Sequence, residues 1–216
     1  MKLILSILTS IFVTGCSIVG QSDVATAPYT LLKSDDTQNI EVRHYDSMIL
    51  VSTSMSAKSG GSAFRKLFSY ITGDNEGATK IAMTAPVMMN DKSESESESE
   101  KANKGTKISM TAPVLMNNSA DNSMMSFVMP KDFTLATTPK PSHPEVYVSE
   151  RKNYQVASIQ FSGTLSDGNV EKYTNLLTAW IIENDYEIVS APVKAGYNSP
   201  LTLPMWRRNE MLIEVR

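Results

Sequence analysis

The chain of 216 residues has one cysteine and two histidines. A lone thiol cannot form an internal disulfide, a four-ligand zinc centre or a dithiol redox pair. Positive charge is not in excess either: 20 Lys and Arg face 23 Asp and Glu, a formal net charge of −3. No basic footprint for DNA or RNA is present, so no nucleic-acid partner is expected. Gly-x-Ser-x-Gly, His-Glu-x-x-His and a phosphate-binding Gly-Lys-Ser/Thr loop do not occur, and acid pairs such as Asp35-Asp36 have no reason to converge. The chain is therefore expected to bind rather than to catalyse. With 41% hydrophobic residues and 10 glycines, neither a wholly disordered nor a collagen-like chain fits. There is enough sequence to bury one sizeable core.

No apolar run is long enough to span a bilayer as a helix. The stretch Leu3–Val13, after Lys2, rises only about 1.5 Å per residue and falls short of a ~30 Å hydrocarbon core. A basic start, a short apolar segment and small residues before Cys16 describe a secretory signal. Val13-Thr14-Gly15-Cys16 resembles a bacterial lipobox, in which Cys16 receives the lipid and becomes the first mature residue. Residues 1–15 are expected to be the signal peptide and 16–28 a lipidated tether, so that the membrane is a partner through the N-terminal lipid. Ser17 in place of Asp directs such a protein to the outer membrane of a Gram-negative envelope, on its periplasmic face.

Period-two apolar patterning marks Tyr29–Met55 as strand, with a turn expected at Asp46-Ser47. Ser62 suits a helix N-cap, and Ala63, Phe64, Leu67, Phe68 and Ile71 form one helical face that Gly73-Asp74-Asn75 ends. A duplication follows: Lys80-Ile-Ala-Met-Thr-Ala-Pro-Val-Met-Met89 and Lys107-Ile-Ser-Met-Thr-Ala-Pro-Val-Leu-Met116. Each copy reads as a strand whose proline requires an edge or a bulge. Between them, the alternating Ser and Glu of Ser93–Glu100 repel one another and offer nothing to bury, so 91–106 is expected to be a disordered acidic insertion. Strands are expected over Met124–Pro130, over Val146–Ser162 with a turn at 151–153, at Tyr186–Val189 and at Met211–Val215. A second helix opens at Asp167 with Val170, Tyr173, Leu177, Trp180 and Ile181 as its stripe. The order is that of an α+β domain in two similar halves.

Three ordered segments resemble the SOUL haem-binding family. They are Ile40-Glu-Val-Arg-His-Tyr45 with Val51–Ser54, the paired Met-Thr-Ala-Pro-Val motifs with Met125-Ser-Phe-Val-Met-Pro130, and Gly196-Tyr-Asn-Ser-Pro200 with Arg207-Arg-Asn-Glu210. The resemblance covers 29–216. It implies a distorted eight-stranded β-barrel with two flanking helices and an internal pseudo-two-fold repeat, akin to gyrase-inhibitor-like effector-binding domains. It also implies non-covalent binding of haem b or another tetrapyrrole, for carriage, buffering or sequestration. Two other outcomes are compatible with the residues: a cleft for other amphipathic molecules, or a structural envelope protein that has lost its ligand.

A haem site needs an apolar slot, cations near the propionates and often an axial ligand. The resemblance makes His44 the axial-ligand candidate to haem iron, while strand alternation equally allows a half-buried structural histidine. His143, beside Pro144, falls in an exposed loop. Met83, Met88, Met110 and Met116 offer thioethers to iron or Cu(I), or simply fill core space. Arg207 and Arg208 either meet propionates or clamp the barrel shut. Phe64, Leu67 and Phe68 either line a slot or pack a core.

Overall fold

The computed structural model describes residues 25–55, 60–76, 108–109, 111–119, 122–198 and 201–216. Cys16 and the signal segment, the first Met-Thr-Ala-Pro copy at 80–89, the whole insertion at 91–106, and Met83, Met88 and Met110 lie outside them.

Strands β1 (Thr30–Asp35) and β2 (Ile40–Ser54) form a hairpin, followed by helix α1 (Gly60–Thr72) and the short β3 (Asn75–Glu76). Then come β4 (Thr111–Ser119), β5 (Asn122–Val128), the two-residue β6 (Lys140–Pro141), β7 (Val146–Phe161) and helix α2 (Asp167–Glu183). Strand β8 (Val193–Gly196), a 3₁₀ turn at Pro204–Trp206 and β9 (Asn209–Glu214) complete the chain. The pairing order β2-β5-β4-β8-β9-β7 closes because β7 also pairs with β2, so six antiparallel strands make a barrel, with β1 added along the free part of the β2 edge. Six strands close among the described residues, against the eight that the resemblance implies; the segment 80–89, expected to be a strand, lies outside the described residues.

Local chemistry explains the elements. The first reversal is at 36–39, not at Asp46-Ser47. Asp35 Oδ1 accepts from the backbone and hydroxyl of Thr37, and Asn39 takes φ 55, a conformation asparagine tolerates. Through Asp46-Ser47 strand β2 runs on, and so does β7 through 151–153. Tyr45 stays opposite Tyr154 and Ser47 opposite Lys152, with Asn153 at φ 49. These turn-forming residues produce a shared bend, across which the inward set of β2 changes from Arg43 and Tyr45 to Met48 and Leu50. Pro113 does sit at a bulge: the β4–β5 register shifts between Thr111 and Val114. Helix α1 starts at Gly60, which puts Ser62 inside its first turn rather than at its cap. It ends where Gly73 takes φ 128 and Asp74 N–H reaches back to the Ser69 carbonyl (2.9 Å), a glycine C-cap. Tyr186–Val189 contributes only an isolated bridge, Ile188 to Val215, and the strand expected there forms instead at Val193–Gly196. Ala25–Ala27, expected to belong to the tether, are held to Ala112 by two backbone hydrogen bonds, with Ala27 buried.

Three apolar clusters follow from the barrel wall having two faces. The lumen holds Tyr45, Met48, Leu115, Tyr154, Val156 and Leu212 among others. Helix α1 covers one outer face with Leu67, Ile71 and Tyr70 on Ile49, Val51 and Phe127. Helix α2 covers another with Leu177, Trp180 and Ile181 on Ile40, Val42 and Ile213. Trp180 Nε1 donates to Asp35 Oδ2 (2.9 Å), tying α2 to the first hairpin.

Candidate functional site: a crevice at one end of the barrel

One end of the lumen is shut by charge. Arg43 and Glu210, both essentially unexposed, pair through two hydrogen bonds (Nη1–Oε2 2.7 Å, Nη2–Oε1 3.1 Å). The Tyr197 hydroxyl donates to Oε2 at 2.7 Å, and Arg208 donates to Oε1 through Nε (3.0 Å) and Nη2 (2.6 Å) while lying over the Tyr197 ring. Arg43 Nε also reaches Glu41 at 2.6 Å. Two carboxylates thus face two guanidiniums, as burial requires. Burial pushes the Glu210 carboxyl upward, but the bonds and charge of Arg43, joined by Arg208 and Tyr197, outweigh it and hold it below the ordinary glutamate range. A depressed folded value contributes stability that is present above the unfolded pKa, about 4.3, and is lost as pH falls through the folded value. Urea midpoints measured from pH 7 down to pH 3 should therefore fall on the acid side, and Glu210→Gln should flatten that fall. An equally steep fall in the variant would remove Glu210 from the account.

The other end opens. Met48, Leu50, Leu115, Tyr154 and Val193 floor a crevice of about 390 Å³. Its rim is polar, with Asn117 on β4, Ser126 on β5, and Tyr147, Ser149 and Arg151 on β7. Tyr147 Oη donates to Met124 Sδ at 2.9 Å, and the Ser52 and Ser126 hydroxyls bond each other at 2.8 Å. Arg151 pairs with Glu214, and its guanidinium lies 4.1 Å over the Tyr154 ring. Burial pushes the Tyr154 phenol up to about 12, so at neutral pH the floor carries no charge. An apolar floor under a rim of hydroxyls, an amide, the Glu150 carboxylate and the Arg151 guanidinium suits a flat molecule with a greasy body and a polar edge. At this volume it admits part of a large planar molecule rather than enclosing one.

The residues singled out from sequence fall elsewhere. His44 faces outward, with Nε2 3.3 Å from Asp46 Oδ1, and lines a shallow depression of about 310 Å³ with Gln155, Val189 and Val215. Arg151 on the crevice and Glu214 on this depression form the ion pair between the two. His143 is exposed next to Glu145. Met116 is packed on the outer wall beneath α1 with Phe64 and Phe68, so these residues fill core there. Arg207 donates to the Thr202 carbonyl and Arg208 to Glu210, the clamp arrangement. Reasoning from sequence missed Met48, Asn117, Met124, Tyr147 and Arg151. The alternation at 147, 149 and 151 was the available signal, hidden by the turn assigned to 151–153.

A closed six-stranded barrel with helices on two outer faces and a crevice at one end defines the α+β barrel class to which the chain belongs. Solved structures share the fold. The EcmrR C-terminal domain superposes with a TM-score of 0.50 at 9% identity, over 82% of this chain and 96% of that one. A hydrolase from Listeria innocua reaches 0.51 at 8% identity, over 83% and 92%. The family model described as SOUL heme-binding protein matches residues 24–102 and 98–214, and the chain belongs to that family. Heme-binding protein 2 of Homo sapiens is 32% identical over 177 residues, covering 79% of this chain and 75% of that protein.

Proposed function

We propose that this chain is a membrane-anchored envelope lipoprotein that binds haem b or a related tetrapyrrole non-covalently and performs no catalysis. Carriage, buffering and sequestration are all served by such reversible binding. Family membership supports the ligand class. The observation that carries the seat is the crevice, which is floored by lumen residues, with Arg151 at its rim for a propionate and the Met48 and Met124 thioethers within its lining. The anchor rests on Cys16 and the segment before it. With the two-residue β3 set aside, two strands, a helix and two strands occur once around α1 (β1, β2, β4, β5) and again around α2 (β6, β7, β8, β9), which supports the internally repeated barrel. The two family matches overlap at 98–102, at the end of the Ser-Glu run and inside 91–106, which supports reading 91–106 as an insertion.

A second reading keeps His44 as axial ligand. Asp46 beside its Nε2 is the kind of carboxylate partner that orients a ligating imidazole and raises its basicity.

Hemin titration of the purified chain tests both. Saturable one-to-one binding with a sharp Soret band is expected, and featureless partitioning would overturn the haem reading. Asn117→Trp, which fills the crevice from a half-buried rim position, should weaken binding about tenfold or more, equivalent to ~1.4 kcal/mol. If that variant binds as tightly as the parent while His44→Ala loses both affinity and the iron spectrum, the seat is at His44. For the anchor, metabolic palmitate label should disappear in Cys16→Ser, and label that persists there refutes it.

A further inference from the structure

The segment between β8 and β9 exposes Leu201 (66%), Leu203 (42%), Met205 (67%) and Trp206 (43%) within six residues. Soluble surfaces seldom carry so dense an apolar group without a use for it. The exposure does not come from a slack loop. Gly163 N–H holds the Pro204 carbonyl (2.8 Å), Arg207 Nε holds that of Thr202 (2.7 Å), and Arg208 N–H bonds Asn198 Oδ1 (2.7 Å). The backbone is pinned from inside and the apolar side chains are left outside.

Topology places this loop at the barrel end away from the crevice. Val193 lines the crevice, and β8 runs from it to Gly196 and Tyr197 at the charged plug, where the loop begins. The N-terminal segment joins the barrel at that same end. Thr26 bridges Ala112, which lies two residues beyond Val114, the partner of Gly196. Residue 16 is thus joined to Ala25 by at most about 30 Å of extended chain.

We infer that Leu201–Trp206 is a membrane-docking loop that seats in the interface of an anionic bilayer. Leu203, Met205 and Trp206 enter the headgroup–acyl boundary, while Arg207 and Arg208, held through Nε by the Thr202 carbonyl and Glu210 and only partly exposed, bring positive charge to the level of the phosphates. Tryptophan favours that boundary, and basic side chains strengthen binding to anionic headgroups. A bilayer suits the loop better than a protein partner because the chain leading to Cys16 leaves at the same end; to that extent the inference rests on the proposed anchor. Its consequence is orientation: the crevice faces away from the membrane, open to incoming ligand.

The chain has two tryptophans, and Trp180 lies on the buried face of α2, an internal control. The full chain is bound to vesicles of phosphatidylethanolamine and phosphatidylglycerol with brominated acyl chains, and tryptophan emission is recorded. The Trp206 component should shift to the blue and be quenched, while Trp206→Phe leaves an unquenched Trp180 signal. Met205→Ser should reduce the quenching without changing Trp180. Unquenched Trp206 on vesicle-bound protein overturns the inference. So does a blue shift that tracks protein concentration without lipid, which would mean self-association. Quenching undiminished when phosphatidylcholine replaces phosphatidylglycerol removes the arginines' part. Palmitate label on Cys16 reports the anchor separately: label with an unquenched Trp206 defeats the loop alone, and quenching without label retains the loop and defeats the anchor.

Discussion

Arg43→Ala is expected to destabilise the fold by roughly 3–5 kcal/mol, the range for removing one partner of a buried ion pair. The cost arises mainly from what remains. Glu210, fully buried, would keep its charge with only Arg208 and Tyr197 to answer it, and Arg208 is itself about a third exposed. Glu41 would also lose its 2.6 Å contact. A paired replacement, Arg43→Met with Glu210→Leu, should cost clearly less than the two single changes added together, because no uncompensated charge stays inside. Urea unfolding of the four proteins measures this as a double-mutant cycle. An Arg43→Ala loss under about 1 kcal/mol would show that the plug is wetter than its geometry indicates.

The second large effect is expected at Leu67→Ala, about 2–5 kcal/mol, the span for emptying a fully buried leucine site. Leu67 has no exposed surface and sits between α1 and the outer wall at Ile49, Val51 and Phe127, where Phe64 meets Phe127 edge-on at 5.4 Å. Because this packing lies on the outside of the barrel, hemin affinity per folded molecule should be unchanged. A variant that keeps its stability but loses hemin would place the ligand beneath α1 and refute the crevice. The two substitutions together separate the roles of the wall's two faces: one interrupts the lumen, the other the helix layer.

Legibility from sequence followed the number of buried faces. Helix α2 was readable because its buried residues Leu177, Trp180 and Ile181, with Val170 and Tyr173 beside them, recur at helical spacing on one face, even though Leu176 and Ile182 stay exposed. Pro113 was readable because a missing N–H has few places to go in a sheet. Strand β2 was not, beyond its being a strand. Ile49 and Val51 are buried under α1 while Met48 and Leu50 face the lumen, so both registers of its alternation are apolar and neither marks the ligand side. Asp46-Ser47 and Arg151-Lys-Asn153 carry local turn preference. Whether such residues reverse a chain or only bend it is decided by the partner strand, and here each lies against the other. The ligand's seat was the least legible feature, since its floor and rim come from five strands with no common spacing.

Sequence alone was sufficient for the α+β class, both helices, an edge or bulge at Pro113 and the family, because each rests on residues that are near neighbours in the chain or on motifs kept in order. Tertiary structure alone decided that six of the described strands close, that His44 looks outward, and that Arg43 meets Glu210 across 167 positions. It also put the apolar loop and the N-terminal segment at one end and the crevice at the other. The physical reason is that a barrel's inside and outside exist only once its first and last strands have paired, and no residue carries that information by itself.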